Sequence, residues 1–460
     1  MNFEDVCRKV EAELENRWKS ADETDRMMRL EKEKKAIMGF EEEVAEYRQL
    51  IGQIIKDEGL DQAEYPRWYR SLVEGVFNEI YGLAGLAPWA YDETEEYRKS
   101  SSAKLIGDRL YCLIDGVSKL QPQTIGSRRR EQLKRALLLA TPRERLEDGF
   151  HEVYLRNGIR ITIYSGERTK EGQDVMVFRK YIMQKLTFEE LARLGTIEPE
   201  ASELFKAMID IGFNMLFAGP VRSGKTTFMQ VWQCSEKTDL EGLAISTDPE
   251  TPWHILMPGA PLMQLVADGR ELENLTKSLL RGDNDYVLLE EMRDAAAYRL
   301  ALDIISTGTH RSKATVHTSD PVNLPFRMAS RICERYGGSL QGVIQQIFSG
   351  FGYVVELCSR EDNRAAKRLK ALWEYCYDGS NDMPSVHLIC RYDMAADNWQ
   401  WKYHMGEDKK RIGRFAPESM KKMEEIMKKL EERNPIMENT VIYPRYYRPQ
   451  LMENPERAGI

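Results

Sequence analysis

No apolar run in these 460 residues approaches the roughly 20 needed to cross a bilayer. The chain is therefore expected to be cytoplasmic and to reach a membrane only by docking on a partner. The opening Met1-Asn2-Phe3-Glu4-Asp5 is acidic and runs into charged sequence, unlike a secretory leader. Basic charge is not in excess: 66 Lys and Arg stand against 74 Asp and Glu, a formal net charge of −8, so nothing draws the chain as a whole to a phosphate backbone. The densest basic patch, Ser127-Arg128-Arg129-Arg130 continuing to Lys134-Arg135, reads as a solvated helix face. Paired cysteines are missing too. Cys7, Cys112, Cys234, Cys333, Cys358, Cys376 and Cys390 are scattered with no Cys-x-x-Cys, so reduced thiols are expected and a zinc site is not.

What remains is a balance of 42% apolar and 30% charged residues, that of a globular chain with room for two or three domains. Residues 1–60 read as a helical N-terminal extension, with Ile37, Phe40, Val44, Tyr47, Ile51 and Ile54 on one stripe. Residues 61–180 read as an α+β domain. Leu72, Val73, Val76, Phe77 and Ile80 form a helical pattern ended by Gly82, and Asn157-Gly158 between apolar alternations predicts a β-hairpin. Residues 181–200 form a connector in which Thr187 and Glu190 make a capping-box pattern. Over 201–400, short continuous apolar runs alternate with helical stretches: Phe213–Ala218, Leu243–Ile245, Tyr286–Leu289, Ala314–Val316 and Tyr353–Leu357, then Leu372–Tyr375 and Val386–Cys390. Such runs predict a mainly parallel sheet covered on both faces, with later strands open to antiparallel pairing. Residues 401–460 read as a helical segment and a Pro/Tyr-rich tail.

Gly219-Pro220-Val221-Arg222-Ser223-Gly224-Lys225-Thr226 matches G-x-x-x-x-G-K-[ST], between an apolar strand and a helix carrying Phe228, Val231 and Trp232. Glycines let backbone N–H groups close around a phosphate, and the helix N-terminus adds partial positive charge. Lys225 is placed for the β- and γ-phosphates and the Thr226 hydroxyl for Mg²⁺. Arg222, Ser223, Gly224 and Thr227 complete the nucleotide-binding set. Hydrolysis also needs an acid near the terminal phosphoryl group. Tyr286-Val287-Leu288-Leu289-Glu290-Glu291 supplies two at a strand end, either of which can direct water or hold the metal.

Glu290-Glu291-Met292-Arg293-Asp294 resembles the G-E-x-R-[DG] segment of the ATPases of type II/type IV secretion and Tad/type IV pilus systems. Glu291 falls on the family glutamate, Arg293 on its arginine, and Glu290 replaces a glycine. Thr247-Asp248-Pro249-Glu250 resembles the family's Asp box, with Thr247 where a glutamate is usual. Thr307-Gly308-Thr309-His310 through His317-Thr318 resembles its His box, with His317 on the family histidine. Arg160 and Arg179 match arginines of the preceding domain that contact nucleotide, and Arg281 matches an arginine before the acidic strand. The likeness covers roughly 70–430, most specifically 150–320, and is greatest to the CpaF/Tad-type branch.

That resemblance implies a RecA-like P-loop ATPase domain behind an α+β domain, with ATP and Mg²⁺ between them. It implies Glu291, Asp248, His317 and Arg281 in catalysis, and Thr226 with Glu291 at the metal. It further implies a homohexamer acting on a polytopic membrane platform protein. The acidic net charge and the lack of a groove-reading motif predict no direct nucleic-acid contact. Two other readings stay open at this level: a nucleotide-binding assembly subunit with little turnover, and a conjugative-transfer ATPase.

Overall fold

A computed structural model of the chain describes residues 1–17, 23–142, 144–182, 186–246, 251–267, 269–279, 282–379 and 383–444. It divides into two compact units, Met1–Met183 and Gln184–Ile460.

The first unit opens with α1 (Phe3–Arg17), α2 (Glu23–Met38), α3 (Glu41–Asp57) and α4 (Leu72–Ile80). Val6, Val10, Tyr47, Ile51, Ile54, Val76 and Phe77 form their common core. The stripe read across residues 37–54 is interrupted at Gly39, whose φ of +86° ends α2. Ile37 consequently joins a different core from Tyr47. Two one-turn helices follow, α5 (Ala87–Ala90) and α6 (Glu95–Arg98). After them come β1 (Ser102–Ile106), β2 (Arg109–Ile114), β3 (Val117–Thr124), α7 (Ser127–Leu139), β4 (Phe150–Tyr154), β5 (Arg160–Tyr164) and β6 (Val175–Arg179). These strands pair antiparallel in the order β3-β2-β1-β6-β5-β4. The Asn157-Gly158 hairpin is present, with Gly158 at φ +81°. The basic patch is more than a solvated face. Arg129 reaches from α7 to donate to the carbonyls of Asn78 (2.9 Å) and Gly82 (2.8 Å), groups the end of α4 leaves unsatisfied.

The second unit begins with α8 (Phe188–Arg193), opened by the full Thr187/Glu190 capping box. Next come α9 (Ala201–Ile211), β7 (Met215–Gly219), α10 (Lys225–Cys234), β8 (Gly242–Ser246), α11 (Trp253–Leu256), β9 (Leu262–Val266), α12 (Gly269–Leu279), β10 (Tyr286–Met292), α13 (Ala295–Ser306) and β11 (Lys313–His317). The remaining elements are α14 (Leu324–Tyr336), α15 (Leu340–Gly350), β12 (Tyr353–Ser359), β13 (Lys367–Asp378), β14 (Met383–Asp393), β15 (Asn398–Trp401), α16 (Glu407–Gly413), α17 (Pro417–Arg433) and β16 (Val441–Ile442).

One sheet runs β15-β14-β13-β12-β7-β11-β10-β8-β9, with β16 on β14. The stretch from β9 to β12 is parallel, and β12 through β15 are antiparallel. The continuous apolar runs are explained by burial on both faces. Met215 and Phe217 of β7 enter one core, with Phe205, Phe228 and Trp232. Leu216 and Ala218 enter the other, with residues of α13, α14 and α15. Helices on both faces of a parallel sheet, with β11 inserted between the strand that feeds the glycine-rich loop and the acidic strand, make this unit a RecA-like α/β domain. The sequence runs did not reveal edge strand β9, whose side chains are largely exposed.

Candidate active site

The parallel strands β7, β11 and β10 lie side by side and end together, and ligand sites of open α/β sheets form at such carboxyl ends. Each contributes its last residues. Gly219 of β7 is in register with His317 of β11, and β11 is in register with β10 up to the Val316–Met292 pair. Three residues distant in sequence are thereby set around one point.

The loop after β7 leaves no freedom at its first residue. Gly219 has φ +145°, and a Cβ there would lie 2.3 Å from the Leu357 carbonyl oxygen and 2.6 Å from Ser223 Oγ. Gly224, at φ +92°, caps α10. Arg222 is also left-handed, at φ +63°. Ser223 is buried and its Oγ has no hydrogen-bond partner, which suits a loop built to receive an acceptor. Thr226 and Thr227 are half-buried in the first turn of α10.

Lys225 is buried, and its Nζ donates to the Pro220 carbonyl at 2.8 Å. Nζ also lies 3.1 Å from His317 Nδ1, while His317 Nε2 lies 2.8 Å from Glu291 Oε1. One tautomer serves both contacts: Nδ1 accepts from the ammonium and the Nε2 proton goes to the carboxylate. The structure thus brings Lys225, His317 and Glu291 into one hydrogen-bonded chain. Burial pushes the Lys225 ammonium down to about 8, opposed by the Glu291 charge.

Glu291 is aimed by its backbone. It sits at an irregularity of β10 between Leu289 and Met292, with φ +68°, and its N–H donates to Thr315 Oγ1 at 2.8 Å. A non-glycine residue held in the left-handed region is strained, and such strain gathers at functional sites. Burial opposes ionisation of Glu291, but Arg293, which donates to Oε2, and His317 outweigh it and hold the carboxyl below its ordinary value. Glu290 has a different environment. It is buried, and its Oε1 accepts from Trp253 Nε1 at 2.9 Å. Trp253 and Thr315 were not singled out in the sequence. A hydroxyl inside the apolar Ala314-Thr315-Val316 run was the available signal.

Asp248 and Arg281 lie outside the described residues. Arg160 and Arg179 belong to the first unit, directly opposite one another on β5 and β6. Arg160 is ion-paired with Glu152 at 2.6 Å, and Arg179 is exposed. Like charges at opposed positions favour a nearby anion.

Residues 168–391 match the family model for type II/IV secretion system proteins. Over these residues, a little under half of the chain, the sequence is similar to that family. The secretion-family segment takes in the whole Lys225–His317–Glu291 chain and Arg179. It is narrower than the 70–430 likeness and leaves Arg160 outside. An uncharacterized protein of Methanocaldococcus jannaschii is 24% identical over 268 residues, 54% of this chain and 90% of its own. The competence protein ComGA of Streptococcus pneumoniae is 31% identical over 169 residues, 36% of this chain and 52% of its own. The type IV pilus retraction ATPase PilT of Pseudomonas aeruginosa is 29% identical over 187 residues, 37% of this chain and 50% of its own. The chain thus spans about half the length of the last two relatives. Among the described residues, no helix is long and apolar enough to cross a membrane.

Proposed function

We propose that this chain hydrolyses ATP to ADP and phosphate and is the motor subunit of a secretion or pilus system, of the CpaF/Tad type. The Lys225–His317–Glu291 chain at the ends of three adjacent strands carries the reading. It joins a phosphate-seeking ammonium to an acid that can direct water, through a residue able to sense whether the ammonium is engaged. Lys225 Nζ rests on the Pro220 carbonyl at 2.8 Å. A terminal phosphate is a stronger acceptor and releases it. His317 then exchanges one neighbour while keeping Glu291, so phosphate occupancy is relayed to the carboxylate. Glu291 takes the proton of the attacking water, and Lys225 stabilises charge on the departing phosphoryl oxygens.

The residues fit a Mg²⁺–nucleotide: a hydroxyl at the first turn of α10, an acid at a neighbouring strand end, and an unpartnered Ser223 Oγ in the loop. Thr226 would hold the ion directly and Glu291 through its hydration shell. Bound Mg²⁺ would neutralise phosphate charge. Asp248 and Arg281 are assigned to water positioning and charge stabilisation, and Arg160 and Arg179 to nucleotide contact. A homohexamer acting on a polytopic membrane platform protein from the cytoplasmic side completes the reading. The test is Mg²⁺-dependent phosphate release by the full chain. Nucleotide binding without release would make the protein an assembly subunit, and stimulation by DNA a conjugative motor.

The Lys225 shift has a pH signature. An unfolded lysine titrates near 10.5 and the buried one near 8, so between these values the folded chain binds fewer protons than the unfolded one. Stability of the nucleotide-free protein therefore rises with pH across that window. Phosphate favours the ammonium, so nucleotide binding takes up a proton above pH 8. Affinity should weaken by up to about tenfold per pH unit there. Calorimetry in buffers of different ionisation enthalpy reads the uptake, and Lys225→Ala should abolish it.

A further inference from the structure

A hairpin that the nucleotide reading leaves unused, the one joining β12 to β13, lies against the glycine-rich loop. β12 runs parallel to β7, with Glu356 beside Ala218, and continues past the end of β7 alongside the loop. β13 returns antiparallel and pairs Lys367 with Ser359. The hairpin meets the loop at three places. A Cβ on Gly219 would strike the Leu357 carbonyl oxygen at 2.3 Å, and one on Gly224 would lie 3.3 Å from Lys367 Cγ. Between these, Ser359 Oγ donates to the Arg222 carbonyl at 3.3 Å. Lys367 Nζ in turn donates to Ser359 Oγ at 2.9 Å, and also to the Arg364 carbonyl within the turn. The turn is itself braced. The Arg360 N–H donates to the Ala366 carbonyl at 3.0 Å, and the Arg360 and Arg368 side chains both pair with Asp397.

The order of donors is fixed by the groups involved. An ammonium can only donate, so Lys367 takes a lone pair of Ser359 Oγ and leaves the hydroxyl proton for Arg222. A trans peptide is planar, and its C=O and N–H point in opposite directions. Holding the Arg222 carbonyl on Ser359 therefore aims the Ser223 N–H into the loop. There it donates to the Pro220 carbonyl at 3.3 Å, the same oxygen that takes Lys225 Nζ at 2.8 Å. A backbone donor and an ammonium thus converge on one acceptor, as an anionic oxygen requires. Arg222 needs such holding. Its φ of +63° is left-handed, and a residue with a Cβ stays there only where its surroundings fix it. Rotation of the peptide would turn a carbonyl toward the phosphates and the N–H away.

We propose that Lys367 and Ser359 are positioning residues for nucleotide phosphate. Acting in series, they fix the Arg222–Ser223 peptide so that the loop presents its N–H groups to the β-phosphate without rearrangement. The proposal rests on the reading of the loop as a nucleotide site and extends it to a hairpin 137 residues downstream. Such preorganisation lowers the cost of binding rather than the chemical barrier, because a loop N–H grips the β-phosphate alike in ground state and transition state. Loss of the hairpin contact falls on affinity, whereas loss of Lys225 or Glu291 falls on turnover.

The experiment measures ADP binding by calorimetry and ATP turnover for the full chain and its variants. Ser359→Ala and Lys367→Met should each weaken ADP about three- to tenfold and raise KM for ATP by a like factor, with kcat within about twofold of the parent value. The double variant should be no weaker than either single one, since two links in series fail together, whereas independent packing effects would multiply. Ser359→Thr and Lys367→Arg, which keep the hydroxyl and the donor, should recover most of the affinity. Parent-like affinity in Ser359→Ala, a loss in kcat instead of affinity, or a double variant whose loss is the product of the single ones overturns the proposal and leaves the nucleotide site standing. A parent chain that binds no ADP overturns both. Ser359→Ala removes a single half-buried hydroxyl, so it decides the matter even if Lys367→Met fails to fold.

Discussion

Lys225→Ala should leave a folded chain whose Mg²⁺-dependent phosphate release is about 10²–10³-fold slower than that of the parent protein, the loss expected when one preorganised donor to developing charge is removed. The loss should exceed that for an ordinary surface lysine, because Lys225 is buried and nothing in water replaces it. The fold should not suffer. The ammonium is desolvated with only a carbonyl and an imidazole for company, so removing it relieves a cost. Circular dichroism and a urea midpoint at or above the parent's, beside lost turnover, is the expected pair of results. Retained turnover would contradict the role given to the glycine-rich loop.

Glu291→Gln should bind ATP as tightly as the parent chain and turn it over about 10²–10⁴-fold more slowly, since the amide keeps the hydrogen bond to His317 but takes no proton from water. Glu290→Gln is the informative companion. Two adjacent acids end the same strand, and sequence alone leaves them equivalent. The structure separates them: Glu291 joins His317 and Arg293, while Glu290 is buried against Trp253. Glu290→Gln should therefore keep turnover within about threefold of the parent and act on stability instead, by altering a charge-assisted hydrogen bond worth roughly 1.5–3 kcal/mol. Single-turnover kinetics with radiolabelled ATP distinguish the outcomes. Equal loss in both variants would make the pair jointly responsible.

The two predictions share a cause in the strand order. Insertion of β11 between β7 and β10 places His317 beside Gly219 and within reach of Glu291. Were β10 adjacent to β7, His317 would have no place between the lysine and the acid. The bulge of β10 also matters, because the left-handed backbone at Glu291 re-aims its side chain, and Glu291 meets His317 while Glu290 meets Trp253.

Local rules fixed much of this protein before any folding. The glycine-rich loop, the capping box before α8, the Asn157-Gly158 hairpin and the doubly buried strands follow from φ preferences, end-capping and burial periodicity, all effects within a few residues. The break in the 37–54 stripe, the carbonyl contacts of Arg129, the division of labour between Glu290 and Glu291, and the reach of Ser359 to the Arg222 carbonyl were decided only in three dimensions. Each depends on which strands become neighbours and in what register. Chain closure over a hundred or more residues sets that choice, and no short window of sequence contains it.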